Sequence, residues 1–223
     1  MSVKIANTRL AYVPVPKIAC TSVKMAILRH NAPADYAALK AGEIDGDGKG
    51  VHGFYPTVPM SLSQMLTKPP TRRWFGIVRD PLKRFVSGYR NRILHHKDLR
   101  ATSVAELEAA GLPLEPDIDL FAANLAAYSA LNRSTRHHFA PICTYMGRHP
   151  RMFHRVFCIS EIADLASYMA EHGGPSDLPH EQTGGPKMTV ADLSPASIAA
   201  LRDFYARDYA VWGRFILEGD GTS

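Results

Sequence analysis

The sequence predicts an α/β fold with a mostly parallel central sheet. Three short apolar runs, at residues 10–15, 74–78 and 153–160, have the length and composition of buried strands. A helical pattern follows each run, and strands that alternate with helices are typical of a parallel sheet flanked by helices. The 223 residues are enough for one well-buried core, so a single domain over residues 1–223 is expected.

The first strand leads into a helix through a turn bordered by prolines. Residues 10–15 are followed by Pro16, and Ser22 is the predicted cap of a helix that buries Val23 and Ile27. Residues 33–73 have mixed composition and several prolines. They are predicted to form loops around one or two short helices.

The second strand, residues 74–78, also leads directly into a helix. Asp80 is its predicted cap, and Pro81 suits the first helical turn. The predicted buried stripe consists of Leu82, Val86, Tyr89 and Ile93. Arg84, Ser87 and Asn91 share the opposite face, so Ser87 is expected to face solvent or a ligand.

Four further segments complete the predicted elements. Residues 103–106 resemble a capping box, and residues 118–132 have the pattern of one longer helix. A helix over 162–172 is closed by two glycines, and Ser194 is the predicted cap of a last helix that reaches Trp212. Residues 173–193 are rich in Gly and Pro without periodicity, which predicts a lid or mobile loop.

Composition limits the partner and the compartment. The net charge of +5 favours an anionic partner, whether a nucleotide-like ligand, an acidic glycan or a nucleic acid. Three cysteines at wide spacing argue against a disulfide framework. No stretch has the length and apolar character of a signal peptide or a bilayer span, so a cytoplasmic protein without stable membrane insertion is expected.

The turn at residues 16–24 has the features of an anion site. It joins a strand to a helix, where backbone N–H groups and the helix dipole favour phosphate or sulfate. Its small and hydroxyl residues are Ala19, Cys20, Thr21 and Ser22. Lys17 lies at the strand end, where it can neutralise charge; the alternative is a capped helix with solvated lysines. The turn is not a Walker A loop, and residues 46–50 match only part of that pattern.

A second anion site is predicted one strand later. Arg79 follows the strand at 74–78, and Ser87 comes two turns into the next helix. A guanidinium fork and a hydroxyl suit a phosphomonoester. Two such turns predict one ligand with two separated anionic groups.

The two turns together resemble the PAPS-dependent carbohydrate sulfotransferases, where PAPS is 3′-phosphoadenosine-5′-phosphosulfate. Residues 16–24 match the 5′-phosphosulfate loop, P-K-x-(G/A)-C-T-(S/N)-x-K, and residues 79–89 match the 3′-phosphate motif, R-D-P-x-x-R-x-x-S-x-Y. Weaker similarities occur at 138–141, at 157–165 and in the last helix. The chain thus looks like a bacterial-type, sulfotransferase family 2-like homologue of the Golgi enzymes.

The resemblance implies a P-loop-NTPase-like three-layer fold and a reaction that leaves PAP. It implies that Lys17 stabilises the bridging oxygen and that Arg79 and Ser87 hold the 3′-phosphate. The residues implied to hold the 5′-phosphosulfate are Lys17, Ala19, Cys20, Thr21, Ser22 and Lys24. No metal is expected, since a sulfuryl group carries less charge than a phosphoryl group.

Sulfuryl transfer to an alcohol also needs a base, and histidines are the candidates. His52 resembles the histidine base of uronyl 2-O-sulfotransferases in its place between the first helix and the second strand, and the alternative is an ordinary loop histidine. His137 and His138 are the next candidates, more readily as contacts to an acidic acceptor.

Other function classes stay open at this point. A basic helix over 81–100 would suit a nucleic-acid-binding module, although it has few aromatics for stacking, and no nucleic-acid partner is expected. A small-molecule kinase lacks its Walker pattern, and a Cys20 nucleophile lacks a local base. The predicted partner is a small-molecule or saccharide acceptor, whose identity the sequence leaves open along with the oligomeric state.

Overall fold

A computed structural model describes residues 2–61, 63, 67, 69, 71–179 and 187–219, with the backbone alone for 217–219. The chain divides into two compact units. Unit 1 comprises residues 1–79, 142–182 and 211–223, and unit 2 comprises residues 80–141 and 183–210. The central part of the predicted lid, residues 180–186, lies outside the described residues.

Unit 1 contains a four-stranded sheet. Its strands are β1 (Val3–Lys4), β2 (Leu10–Val13), β3 (Arg73–Val78) and β4 (Arg155–Cys158), paired in that order. Strand β1 is antiparallel to β2, whereas β2, β3 and β4 are parallel to one another. A mixed α/β chain with a mostly parallel sheet flanked by helices is therefore confirmed. The carboxyl ends of β2, β3 and β4 lie at one edge, which is where open α/β sheets bind ligands.

Twelve α-helices occur in the described part of the chain. In chain order they are α1 (Cys20–Asn31), α2 (Pro33–Ala41), α3 (Val51–Phe54), α4 (Pro81–Gly88), α5 (Val104–Ala109), α6 (Ile118–Ala123), α7 (Leu125–Leu131), α8 (Arg133–Phe139), α9 (Ile142–Met146), α10 (Ile162–Glu171), α11 (Pro195–Phe204) and α12 (Ala206–Gly219). A π-helix, Tyr89–His95, continues α4. None of the described helices is long and apolar enough to cross a membrane.

A side-chain cap forms as predicted at α4 but not at α1 or α5. The Asp80 side chain caps α4 by accepting from the Lys83 N–H at 2.9 Å, and Pro81 is the first helical residue, as predicted. Helix α1 instead begins at Cys20, so the predicted cap at Ser22 is wrong. Left-handed backbone at Lys17 and Ala19 turns the chain into the helix three residues early. At α5, Ser103 precedes the helix but makes no side-chain cap hydrogen bond.

Two predicted long helices are each divided in two. The pattern at 118–132 forms α6 and α7, because the Asn124 amide donates to the Leu120 carbonyl at 3.0 Å and so ends the first helix. The last predicted helix is divided at Tyr205, whose hydroxyl donates to the Phe139 carbonyl at 2.8 Å. The Asn124 bond is a local bond from side chain to backbone, of the kind that competes with helical ones, whereas the Tyr205 bond is a tertiary contact.

Each unit has an aromatic core. In unit 1, Phe75 stacks on Tyr12 with ring centroids 5.5 Å apart and meets the edge of Tyr168. In unit 2, Phe85 and Phe139 both contact Phe121. Arg84 is buried beside this second core, where it donates to the Ala140 carbonyl at 2.7 Å. Its predicted place on the face opposite the buried stripe is therefore wrong, because the carbonyls that follow α8 need a donor.

Candidate functional site

The loop between β2 and α1 has the geometry of an anion cradle. It contains two non-glycine residues with left-handed backbone, Lys17 with φ 66° and Ala19 with φ 49°. Such conformations are strained for residues with a Cβ and cluster at binding sites. Where left-handed residues adjoin right-handed ones, successive backbone N–H groups converge on one point, which is how backbone nests hold anions. Helix α1 then presents the unpaired N–H groups of its first turn.

Arg79 lies next to this loop within unit 1. It directly follows β3, whose residue Gly76 pairs with Val13 at the end of β2. Its guanidinium donates to the Lys17 carbonyl at 3.4 Å. The loop and Arg79 therefore form one basic edge of the sheet.

A hydrogen-bonded group of four side chains starts at the first turn of α1. The Thr21 hydroxyl lies 3.2 Å from His52 Nε2, and Lys24 Nζ lies 3.0 Å from His52 Nδ1. Lys24 Nζ also donates to the Thr57 hydroxyl. The structure thus joins His52, the base candidate, to the predicted anion loop.

The Lys24 ammonium is deeply buried. Its side chain is 0% exposed, and burial lowers the pKa of the amine to about 8, against a smaller opposing effect of Cys20. A shifted pKa in a polar cluster is typical of functional sites. Lys24 contacts His52 and Thr57 here, although the resemblance implies a contact with the donor.

A cavity of 390 Å³ opens beside Thr21 and His52. Its other lining residues are Met25, Leu39, Lys40, Lys49, Gly50 and Val51. The two lysines are exposed, and this lining contains no carboxylate. A lining that combines apolar side chains with basic groups suits a polar or anionic small molecule.

The remaining predicted site residues lie in unit 2. Ser87 is half-buried in α4. His137 and His138 are consecutive residues of α8, with ring centroids 4.9 Å apart. His138 Nδ1 lies 2.9 Å from the Ser134 carbonyl, a contact that requires a proton on Nδ1.

Thr57 is the member of this hydrogen-bonded group that sequence reasoning missed. It is buried at the end of a segment without periodicity, and 33 residues separate it from Lys24. The sequence did contain one indication for Lys24, the hydrogen-bond partner of Thr57. Lys24 follows Cys20 by four residues and precedes Ile27 by three, which puts a lysine on the apolar face of α1.

The sulfotransferase family model matches residues 5–213, nearly the whole chain and both units. The chain belongs to the sulfotransferase family. No curated protein and no solved structure matches it. Membership in the family identifies a transferase of the sulfuryl group and confirms the predicted resemblance to sulfotransferases. Among the described residues, no cluster of His, Cys, Asp or Glu has a metal-binding arrangement.

Proposed function

We propose that this sulfotransferase moves the sulfuryl group of PAPS to a hydroxyl of a carbohydrate or related acceptor and releases PAP. The observation that carries the proposal is the β2–α1 loop. It joins two left-handed residues, Lys17 and Ala19, to a helix N-terminus in a chain of the sulfotransferase family. In this proposal the parallel sheet is part of a P-loop-NTPase-like three-layer fold.

The donor is assigned to the loop and to the second motif. Lys17 and the N–H groups of residues 19–22 bind the 5′-phosphosulfate, with the Thr21 and Ser22 hydroxyls as further donors. Arg79 binds the 3′-phosphate with its guanidinium. Its guanidinium lies beside the Lys17 carbonyl, close enough to the loop for one ligand to contact both. Ser87 enters the proposal through the sequence motif.

The reaction is an in-line displacement at sulfur. The acceptor oxygen forms a new bond to sulfur while the bond between sulfur and the bridging oxygen breaks, and its electron pair stays on the phosphate of PAP. The Lys17 ammonium neutralises the charge that develops on that oxygen. His52 is the proposed base that removes the hydroxyl proton of the acceptor.

The acceptor is assigned to the cavity beside Thr21 and His52. A volume of 390 Å³ falls within the range of small-molecule sites. Lys40 and Lys49 favour an acceptor that carries a carboxylate, sulfate or phosphate close to its reacting hydroxyl. The sequence adds His137 and His138 as further contacts to such an acceptor.

Calorimetry with PAP and a radiolabelled-PAPS screen of acceptors test the proposal. Binding of PAP to the wild type is required. Lys17→Ala is expected to keep PAP binding within a few-fold and to lose about 100-fold or more in turnover, because its charge acts in the transition state.

Arg79→Ala and Ser87→Ala are expected to weaken PAP binding, about 10-fold or more for the arginine. The exposed Lys4→Ala is the charge-matched control and should bind PAP normally. Absence of PAP binding by the wild type, or full turnover by Lys17→Ala, would contradict the proposal.

A further inference from the structure

Lys24 is a buried cation whose partners include no carboxylate. Its Nζ atom contacts His52 Nδ1 at 3.0 Å and the Thr57 hydroxyl, and its side chain is 0% exposed. No ion pair joins it to a carboxylate of the described residues. Burying a charge in this way is costly, and its retention beside a base candidate points to a role in the chemistry.

The contact with Lys24 determines the tautomer of His52. An ammonium has three donors and no acceptor, so Nδ1 must accept and the ring proton must be on Nε2. Nε2 then donates to the Thr21 hydroxyl, 3.2 Å away. In this state Nε2 has no lone pair for the proton of an acceptor hydroxyl.

Loss of one proton from Lys24 reverses this arrangement. A neutral amine has a lone pair, so Nζ can accept from a proton on Nδ1 while it still donates to Thr57. The lone pair of the ring is then on Nε2, the atom beside Thr21 and the cavity.

We propose that Lys24 is a positioning residue that determines which ring nitrogen of His52 carries the proton, so that Nε2 is a competent base only while Lys24 is neutral. The proposal rests on the proposed function of His52. During transfer, the proton of the acceptor hydroxyl goes to Nε2, and the Nδ1 proton goes to Nζ. The products of this relay are neutral His52 with its proton on Nε2 and a Lys24 ammonium.

The effect of burial on the pKa of Lys24 agrees with the assignment. Burial lowers the pKa of Lys24 from 10.5 to about 8, which lies near the pH at which a base must work. The titratable groups that face its amine are His52 from α3 and Cys20 from α1 itself, and Thr57 is uncharged. A neutral Lys24 is therefore accessible at mildly alkaline pH.

The first test is an NMR titration of the wild-type protein labelled with ¹⁵N at histidine. Nitrogens with a proton and nitrogens with a lone pair resonate at well-separated frequencies, so the spectrum gives the tautomer of His52. We expect the Nε2–H form at pH 6.5 and a shift towards Nδ1–H with a midpoint near 8. A His52 ring with an unchanged tautomer between pH 6.5 and 9.5 would overturn the proposal.

The second test uses Lys24→Met, which keeps the length of the side chain and removes the amine. The transition near pH 8 should disappear from the His52 spectrum. Thr57→Val is the matched control, because it removes the other partner of Lys24 Nζ and leaves the Lys24–His52 contact. In this variant the transition of His52 near pH 8 should remain. If Lys24→Met does not fold, the wild-type titration and Thr57→Val still decide the question.

Activity provides a separate readout. If Lys24 controls the base, kcat/KM of the wild type rises about 10-fold between pH 7 and 9, following the neutral fraction of a group with a pKa of about 8. In Lys24→Met the rise should be less than about twofold. A normal NMR transition without any sulfuryl transfer would contradict the proposed function and leave the role of Lys24 intact. Sulfuryl transfer by a protein that shows no NMR transition of His52 would contradict the role of Lys24 and leave the proposed function intact.

Discussion

A buried lysine without a carboxylate partner destabilises the folded state at neutral pH. Lowering the pKa of Lys24 from 10.5 to about 8 corresponds to roughly 3 kcal/mol, at about 1.4 kcal/mol per unit. Below pH 8 the lysine is charged in both the folded and the unfolded chain, so the whole cost is present. Between pH 8 and 10.5 the unfolded chain binds more protons than the folded one, and stability rises with pH.

The increase of stability with pH gives a prediction for Lys24→Met. The free energy of unfolding of the wild type, relative to that of the variant, is expected to rise by about 3 kcal/mol between pH 7 and 10.5. Urea denaturation of both proteins at several pH values measures the difference, in which the titration of other groups cancels. A difference that stays constant over this range would show that the amine titrates normally in the folded state.

At the scale of single residues, the sequence predicts the groups that belong to a contiguous pattern. Lys17, Thr21 and Arg79 follow strand ends in recognisable order, and the structure brings Thr21 together with His52 as neighbours. Thr57 carries no such pattern, because its contact with Lys24 depends on how the segment after α3 returns to α1. Contacts of this kind follow from packing and not from local spacing.

At the scale of elements, periodic stretches were predictable and their ends were less so. The strands and the Asp80 cap follow from hydrophobic runs and from a capping residue next to Pro81. The early start of α1 depends on left-handed backbone at Lys17 and Ala19, a conformation that neither residue type favours. Buried Arg84 likewise depends on the carbonyls after α8, which lie more than 50 residues away.

Two glycines in helices give a matched prediction at this scale. A Cβ on Gly88 would lie 2.8 Å from the Phe139 ring, and that ring is held by Phe85 and Phe121. Gly88→Ala should therefore lower the free energy of unfolding by about 1–3 kcal/mol, as overpacking does. A Cβ on Gly213, in α12, would meet nothing within 4 Å.

Gly213→Ala is the control, and it should raise the free energy of unfolding by about 0.5–1 kcal/mol through helix propensity. Urea denaturation measures both variants. Equal effects of the two substitutions would mean that the Phe139 ring moves aside without cost.

At the scale of the whole molecule, each unit is assembled from segments that are distant in the sequence. Unit 2 needs Leu193, Leu201 and Tyr205 from its second segment to complete the core around Phe121. The family match runs through both units, from residue 5 to residue 213. The sequence predicted one domain over the whole chain. The division into two units depends on contacts between distant segments, which periodic patterns in the sequence do not predict.

A ligand that binds only the folded chain stabilises it as a whole, and this gives a test of the two predicted anion sites. PAP at 100 times its Kd should add about 2.7 kcal/mol, or an increase in Tm of about 5–10 °C for a chain of this size. AMP lacks the 3′-phosphate and should raise Tm less at the same concentration. In Arg79→Ala the difference between PAP and AMP should shrink, since the guanidinium assigned to the 3′-phosphate is gone. Equal shifts with PAP and AMP in the wild type would mean that the chain recognises one anionic group and not two.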